Sequence, residues 1–293
     1  REGPGPAGEV VMDPVTPEPS ISIGRPVMTQ EWNQLTYLHW RYPAEVIAPT
    51  LPEGLRVDTY DGSAWVGLIP FHLQRIAFRW TPAIPYFGSF PEANVRTYVV
   101  DPRGRRAIWF YSLDINRLFP TMMARTRYGL PYCWGRSAVR YGDHNGVSYR
   151  FDRWWPRQPS GRLAAEVEVG DPIPPTKVTE LEHFLSARWG MATMRSGRLY
   201  YGPVHHQRWP LHRARLVSLE QNLIEAAGLP SPEGEPDVLY SPGVRVAIGQ
   251  LELIADRIGA AVPRAIVTRP AHGGAAPLVQ SRPGNWRAAQ SGD

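Results

Sequence analysis

One cysteine, Cys133, stands among 293 residues. A lone thiol closes no disulfide within the chain and builds no cysteine zinc site. It acts as a small apolar filler unless a neighbour lowers its pKa. Lysine is just as scarce: Lys177 is the single lysine among 32 basic residues, and the rest are arginine. Arginine stays protonated and is a very poor imine-forming amine. Schiff-base chemistry is therefore left with Lys177 or the chain terminus. No apolar run approaches the ~20 residues of a membrane-spanning helix. The first twenty residues lack the apolar segment of a secretory signal, so a cytoplasmic location is expected. The net charge is +5, but the arginines are scattered among acidic residues, which argues against a nucleic-acid surface. GxGxxG, Walker, HExxH and GxSxG fingerprints are all missing, so no cofactor or metal is expected.

What is present is a chain cut by tight turns. Asp61–Gly62, "DPRGRR" (101–106), "DHNG" (143–146) and Ser196–Gly197 each separate runs rich in β-favouring residues, which predicts hairpins. "TQEWNQLTYLHWRYP" reads as a first strand and "RLAAEVEVG" alternates cleanly. "DVLYSPGVRVAIG" reads as a final strand pair. Helices are expected at "PAEVIAPTLPEGL", at "NRLFPTMMARTRYG" broken early by Pro120, at "TKVTELEHFLSARWG" ending at Gly190, and at "VSLEQNLIEAAGLP". No βαβ rhythm appears. The sum is α+β, mainly β, with three or four helices in one compact domain over residues 28–269. Residues 1–27 read as a flexible Pro/Gly-rich extension, with Met28 an alternative start. Residues 270–293 read as a disordered tail.

Two carboxylates draw interest. Glu92 stands where the long proline-rich loop "TPAIPYFGSFPE" enters a strand, with Arg96 four residues on. In that strand Arg96 and Tyr98 share one side and Val95, Thr97 and Val99 the other. A carboxylate at such a mouth can carry protons, or it can simply form an ion pair. Asp114, at the end of "YSLDI", is a second candidate, or a cap for the helix that follows. His205, His206 and His212 lie close in sequence. Adjacent strand residues point oppositely, so they do not chelate together easily.

Six ordered segments, "LHWRYPAEVIAPTLPEGLRVDTYDGSAWVGLIPF", "FPEANVRTYV", "FYSLDINRL", "ARTRYGLPY", "HHQRWPLHRARL" and "DVLYSPGVRVAIG", resemble the YqjF-like family of uncharacterised proteins. The likeness runs from about residue 30 to 250. That family is placed in the acetoacetate decarboxylase-like superfamily. The resemblance implies a strongly curved antiparallel sheet that closes into a cone or barrel around an internal cavity. The decarboxylases carry Arg-Glu, four spacers, then Pro-Lys-Lys at a helix-to-strand turn. In "RTRYGLPYC", Arg125 and Pro131 match, Thr126 replaces the glutamate, and Tyr132 and Cys133 replace both lysines. Glu92 matches a catalytic glutamate of the decarboxylases, while an arginine they use near the N-terminus falls close to Asn33.

The implied site therefore has Glu92 and Tyr132 as proton-carrying groups. Arg96, Arg125, Asp114 and Cys133 are candidates to contact a small-molecule ligand. Lyase, hydratase or isomerase chemistry without an imine fits it, as does a binding protein without turnover. A homo-oligomer is compatible with either. Borohydride reduction in the presence of pyruvate is expected to leave the peptide containing Lys177 unmodified, as read by peptide mass spectrometry.

Overall fold

Proline and glycine set the corners of the chain, and the strands between them fill one continuous sheet. The computed structural model describes residues 12–19, 22–142, 145–156 and 159–255. The expected tail, 270–293, lies outside these, as do Asp143 and His144 of the "DHNG" turn. The strands are β1 (Met28–Pro43), β2 (Arg56–Val57), β3 (Ser63–Phe78), β4 (Phe90–Val100), β5 (Arg106–Ile115), β6 (Tyr132–Tyr141) and β7 (Gly146–Trp155). They continue as β8 (Arg162–Pro172), β9 (Gly190–Arg195), β10 (Arg198–His206), β11 (His212–Gln221), β12 (Asp237–Ile248) and β13 (Glu252–Ala255). Four helices among the described residues interrupt them: α1 (Ala44–Ile47), α2 (Leu118–Tyr128), α3 (Glu180–Ser186) and α4 (Leu223–Ala226).

The sheet closes twice. Strands β12, β1, β3, β4 and β5 stand side by side as a shared wall. One return path, β6-β7-β8-β11, completes a ring of nine strands, and the other, β9-β10, a ring of seven. Both branch points are strands with a divided edge. β5 pairs in parallel with β9 at Ile108–Trp109 and with β6 at Leu113–Ile115. β12 pairs with β11 at Leu239–Tyr240 and with β10 at Val246–Ile248. The other pairings are antiparallel, as the hairpin-rich sequence predicts.

The two rings bury opposite faces of the wall. On one face Leu38, Trp40, Val66, Leu68, Ala93 and Val95 pack with Tyr149, Phe151, Leu163 and Val167. On the other, Tyr37, Ile69, Phe71, Val246 and Ile248 pack with Met191 and Val204. Every residue of β4 except Pro91 is buried.

Some local expectations change. Asp61–Gly62 does turn the chain, but the ladder stops at the Tyr60–Ser63 bridge, and β2 pairs with β4 instead. β3 has both edges taken, by β1 and β4. Val217–Gln221 belongs to strand β11 rather than a helix, because the open edge of β8 takes up its backbone groups. Only Leu223–Ala226 is helical there. The final strand pair is one strand, β12, held along its length by β1. Helix α3 carries the Thr179–Glu182 capping box but ends at Ser186, because Gly190 begins β9. Pro120 does not break α2: it sits in the first turn, where no hydrogen bond is lost. Asp114 does not cap that helix, whose N-cap is Arg117. Part of the leading segment lies on the domain, with the Asp13 N–H donating to the Gly104 carbonyl at 2.9 Å.

Gly129 closes α2 in the left-handed conformation, φ 70°, and a Cβ there would lie 2.1 Å from the Met194 carbonyl oxygen. Gly129→Ala is expected to cost about 2–4 kcal/mol of stability through the disfavoured φ and the clash. Gly197→Ala, at φ 72° with open space around it, is expected to cost only ~1–2 kcal/mol. Urea midpoints of the two variants check both.

Candidate active site

A strand turns alternate side chains to opposite faces. In β4 this sets Glu92, Asn94, Arg96 and Tyr98 in one polar stripe, away from Ala93 and Val95. In an ordinary two-layer protein such a stripe faces water. Here it faces the seven-strand ring, and the four residues are 3%, 5%, 4% and 0% exposed. Glu92 lies in register between Phe71 and Ile115, both members of the core on that side.

Tyr132 reaches Glu92 from the helix-to-strand turn. Gly129 reverses the chain after α2, the Pro131 carbonyl accepts from the Leu113 N–H at 3.1 Å, and β6 starts at Tyr132. The Tyr132 hydroxyl donates to Glu92 Oε2 at 3.1 Å. Glu92 has no ion-pair partner among the described residues. Burial pushes its carboxyl up to about 8 from the usual 4.5; hydrogen bonds from the Tyr132 and Asn94 side chains work against this and nearby Asp114 adds to it. Burial and the Glu92 carboxyl hold the Tyr132 phenol well above its usual range. Glu92 is thus a carboxylic acid that keeps its proton near neutral pH and has a hydroxyl within reach.

The other expected residues take different places. Arg125 is exposed, lies over the Trp155 ring and donates from Nη1 to the Tyr132 carbonyl at 2.8 Å. It braces the backbone of the turn. Asp114 stands in register with Ala93, on the wall's other face. Both its oxygens accept from Arg153, at 2.7 Å each, in a buried pair. Cys133 is buried beside it, and burial, with Asp114, pushes its thiol up to about 12. It is not a nucleophile at neutral pH. Arg96 donates from Nη2 to the Leu185 carbonyl at 3.2 Å and to Tyr98 Oη at 3.3 Å.

Asn33 bonds Gln74 at 2.8 Å, and Lys177 is exposed at the end of a single 3-10 turn. His206 is buried, its Nδ1 against the Gln207 carbonyl. Among the described residues no group of three His, Cys, Asp or Glu is placed to hold a metal ion. A cleft of about 650 Å³ opens elsewhere, lined by Arg136, Asp152, Trp154, Arg162 and Glu220.

Asn94, Tyr37, His39 and Trp209 were not singled out from the sequence, yet Asn94 belongs to the stripe and the other three border it. His39 Nε2 lies 2.6 Å from Tyr98 Oη, and burial and Arg96 hold its pKa well below the usual range. Gly67, opposite Arg96, makes room for it: a Cβ there would come 2.7 Å from His39 Nε2. Extending the β4 alternation two residues back from Arg96 would have found Asn94. Tyr37, His39 and Trp209 come from distant segments and leave no such signal.

The family described as uncharacterized conserved protein, DUF2071, matches residues 29–245. The chain belongs to this family. It is 31% identical over 223 residues to the uncharacterized protein YqjF of Bacillus subtilis (strain 168), a match that covers 76% of this chain and 90% of that family member. The family's fold is shared by solved structures of low identity. The enduracididine biosynthesis enzyme MppR complexed with pyruvate matches at TM-score 0.55 and 14% identity, over 79% of this chain and 91% of its own. Acetoacetate decarboxylase from Legionella pneumophila matches at TM-score 0.55 and 11% identity, over 78% and 87%. An acetoacetate decarboxylase-like enzyme from Sphingomonas wittichii RW1 matches at TM-score 0.53 and 13% identity, over 80% and 96%. The curved, closing sheet expected from the sequence is therefore the fold of this chain. No helix among the described residues is long and apolar enough to cross a membrane.

The raised proton affinity of Glu92 makes stability depend on pH. Below pH ~4.5 the carboxyl is neutral in both folded and unfolded chains. Between that and about 8 the unfolded chain gives up its proton while the folded chain keeps it, so stability falls as pH rises, and levels off above. At roughly 1.4 kcal/mol per tenfold change in proton affinity, the full effect is a few kcal/mol. Glu92→Gln lacks it. Urea denaturation is expected to show Glu92→Gln gaining on the unsubstituted protein from pH 5 to 9.

Proposed function

We propose that this chain is an acid–base enzyme of lyase, hydratase or isomerase type that acts on a small carbonyl or carboxylate compound without forming an imine. The observation that carries it is a fully enclosed, unpaired carboxyl held by a tyrosine hydroxyl. A carboxyl that changes protonation near pH 8 can give or take a proton at little cost near neutral pH. Its ionised form takes a proton from a carbon next to a carbonyl. The Tyr132 O–H then donates to the developing oxyanion, and the proton returns from Glu92 to carbon or leaves to solvent.

The neighbours in fold lend support to the substrate class: one is named as complexed with pyruvate and another as acetoacetate decarboxylase. The residues at the corresponding turn, Tyr132 and Cys133, offer no amine. A binding protein without turnover is the second reading, favoured by the ring wall of Trp32, Phe71 and Trp209 on the same side.

Exchange of pyruvate methyl and acetoacetate methylene protons in deuterated water, followed by NMR, is the test. Exchange above background is expected, with a rate that climbs toward pH 8 and then flattens. Glu92→Gln should lower it by ~10²-fold or more, with Tyr132→Phe intermediate. Equal rates in Glu92→Gln and the unsubstituted protein would sink the proposal. Binding of these compounds with no exchange at any pH would favour the second reading.

A further inference from the structure

The deep arginines are not alike. Arg153 is paired with Asp114, Arg188 with Asp58 and Arg105 with Asp101. Arg96, 4% exposed, has no carboxylate partner among the described residues. Its contacts are neutral: the Leu185 carbonyl, Tyr98 Oη, and the faces of the Tyr37 and Tyr98 rings, each 5.6 Å from its Cζ. His39, beside it, is held neutral by burial and by Arg96 itself. Asp58 is shared between Arg188 and Arg106 and leaves no carboxylate for Arg96, whose charge is without a counter-ion among the described residues. A buried charge without a counter-charge is among the costliest arrangements in a fold.

Unmet hydrogen-bonding groups gather at the same place. Arg96 Nε, Tyr37 Oη, Asn94 Oδ1 and Trp209 Nε1 are all buried and have no partner. Tyr37 links them: its ring lies 5.7 Å from that of Trp209 and 5.6 Å from the Arg96 guanidinium. Asn94 precedes Arg96 by two residues on the same face of β4. Orphaned polar groups inside a protein call for an occupant.

We infer that Arg96 anchors a small monocarboxylate, with Tyr37 and Trp209 as further donors to it and Asn94 as acceptor for a hydroxyl on the same molecule. This rests on the small-ligand reading above and specifies its substrate class. The carboxylate neutralises the guanidinium, which also binds it directionally. Aromatic rings line the rest, so the ligand is short and otherwise apolar.

The test is isothermal titration of the full chain with acetate and with lactate at constant ionic strength, alongside thermal unfolding. Saturable binding is expected, lactate tighter than acetate. Arg96→Met should weaken both at least tenfold. Without ligand, Arg96→Met should unfold at the same temperature as the unsubstituted protein or higher, because Tyr98 keeps its bonds to Leu185 and His39, each 2.6 Å. Tyr37→Phe removes a hydroxyl that has no partner. It should weaken binding several-fold and leave the unfolding temperature unchanged.

No binding by the unsubstituted protein overturns the inference, as does equal binding by Arg96→Met. An Arg96→Met variant that unfolds earlier or is insoluble also overturns it, since Arg96 would then be a structural bond. Glu92→Gln should keep carboxylate binding. Loss of proton exchange with binding intact thus concerns Glu92, and loss of binding concerns Arg96.

Discussion

Strand β4 has no solvent side, and most of this protein's chemistry follows from that. Its sequence alternates apolar and polar residues in the manner of a half-exposed strand. The sheet closes around both of its faces, so the polar half is enclosed with the rest. Each of Glu92, Asn94, Arg96 and Tyr98 then needs an internal partner or pays for lacking one. Tyr98 is satisfied by Leu185 and His39. Glu92 is met by the Tyr132 hydroxyl and the Asn94 side chain and keeps its proton. Arg96 is met only by neutral groups. Along the stripe, Tyr98 is fully satisfied while Asn94 Oδ1 and Arg96 Nε have no partner.

Two carboxyls on neighbouring strands show how strongly the face decides behaviour. Asp114 and Glu92 are both buried, and the charge of Asp114 adds to the raised proton affinity of Glu92. Asp114 points into the nine-strand side, where Arg153 grips both of its oxygens. A carboxylate paired this way is a fixed part of the fold, and removing the arginine would strand a buried charge. Glu92 points to the seven-strand side and meets a phenol. It is free to change protonation because no guanidinium holds it ionised. The turn that presents Tyr132 depends in its own way on Gly129 and on Arg125, which holds the tyrosine's carbonyl.

Much of the fold was legible in the sequence. The hairpins around "DPRGRR" and Ser196–Gly197, the helix in "TKVTELEHFLSARWG", and the stop at Gly129 are local events, governed by residues within a few positions of one another. Val217–Gln221 was not legible. Its spacing suits a helix, but the edge of β8 outweighs that preference. The double closure of the sheet was not legible either, because it depends on β5 and β12 dividing their edges between partners far apart in the chain. The same divide runs through the site. Glu92 and the helix-to-strand turn at Tyr132 could be named in advance, one by its place at the end of a long loop, the other by glycine and proline. Their contact, forty residues apart, comes from the parallel pairing of β5 with β6.

The sequence by itself determined which groups were at hand: a single lysine, a single cysteine, many arginines, and a strand with acid, amide, guanidinium and phenol at every second position. Composition and alternation are properties of the chain and need no partner to be read. Only the tertiary structure decided which carboxyl would be paired and which left protonated, and which arginine would lack a counter-ion. Proton affinity and charge balance depend on what crosses from other strands and on how fully water is excluded, and both come into being when the two rings close.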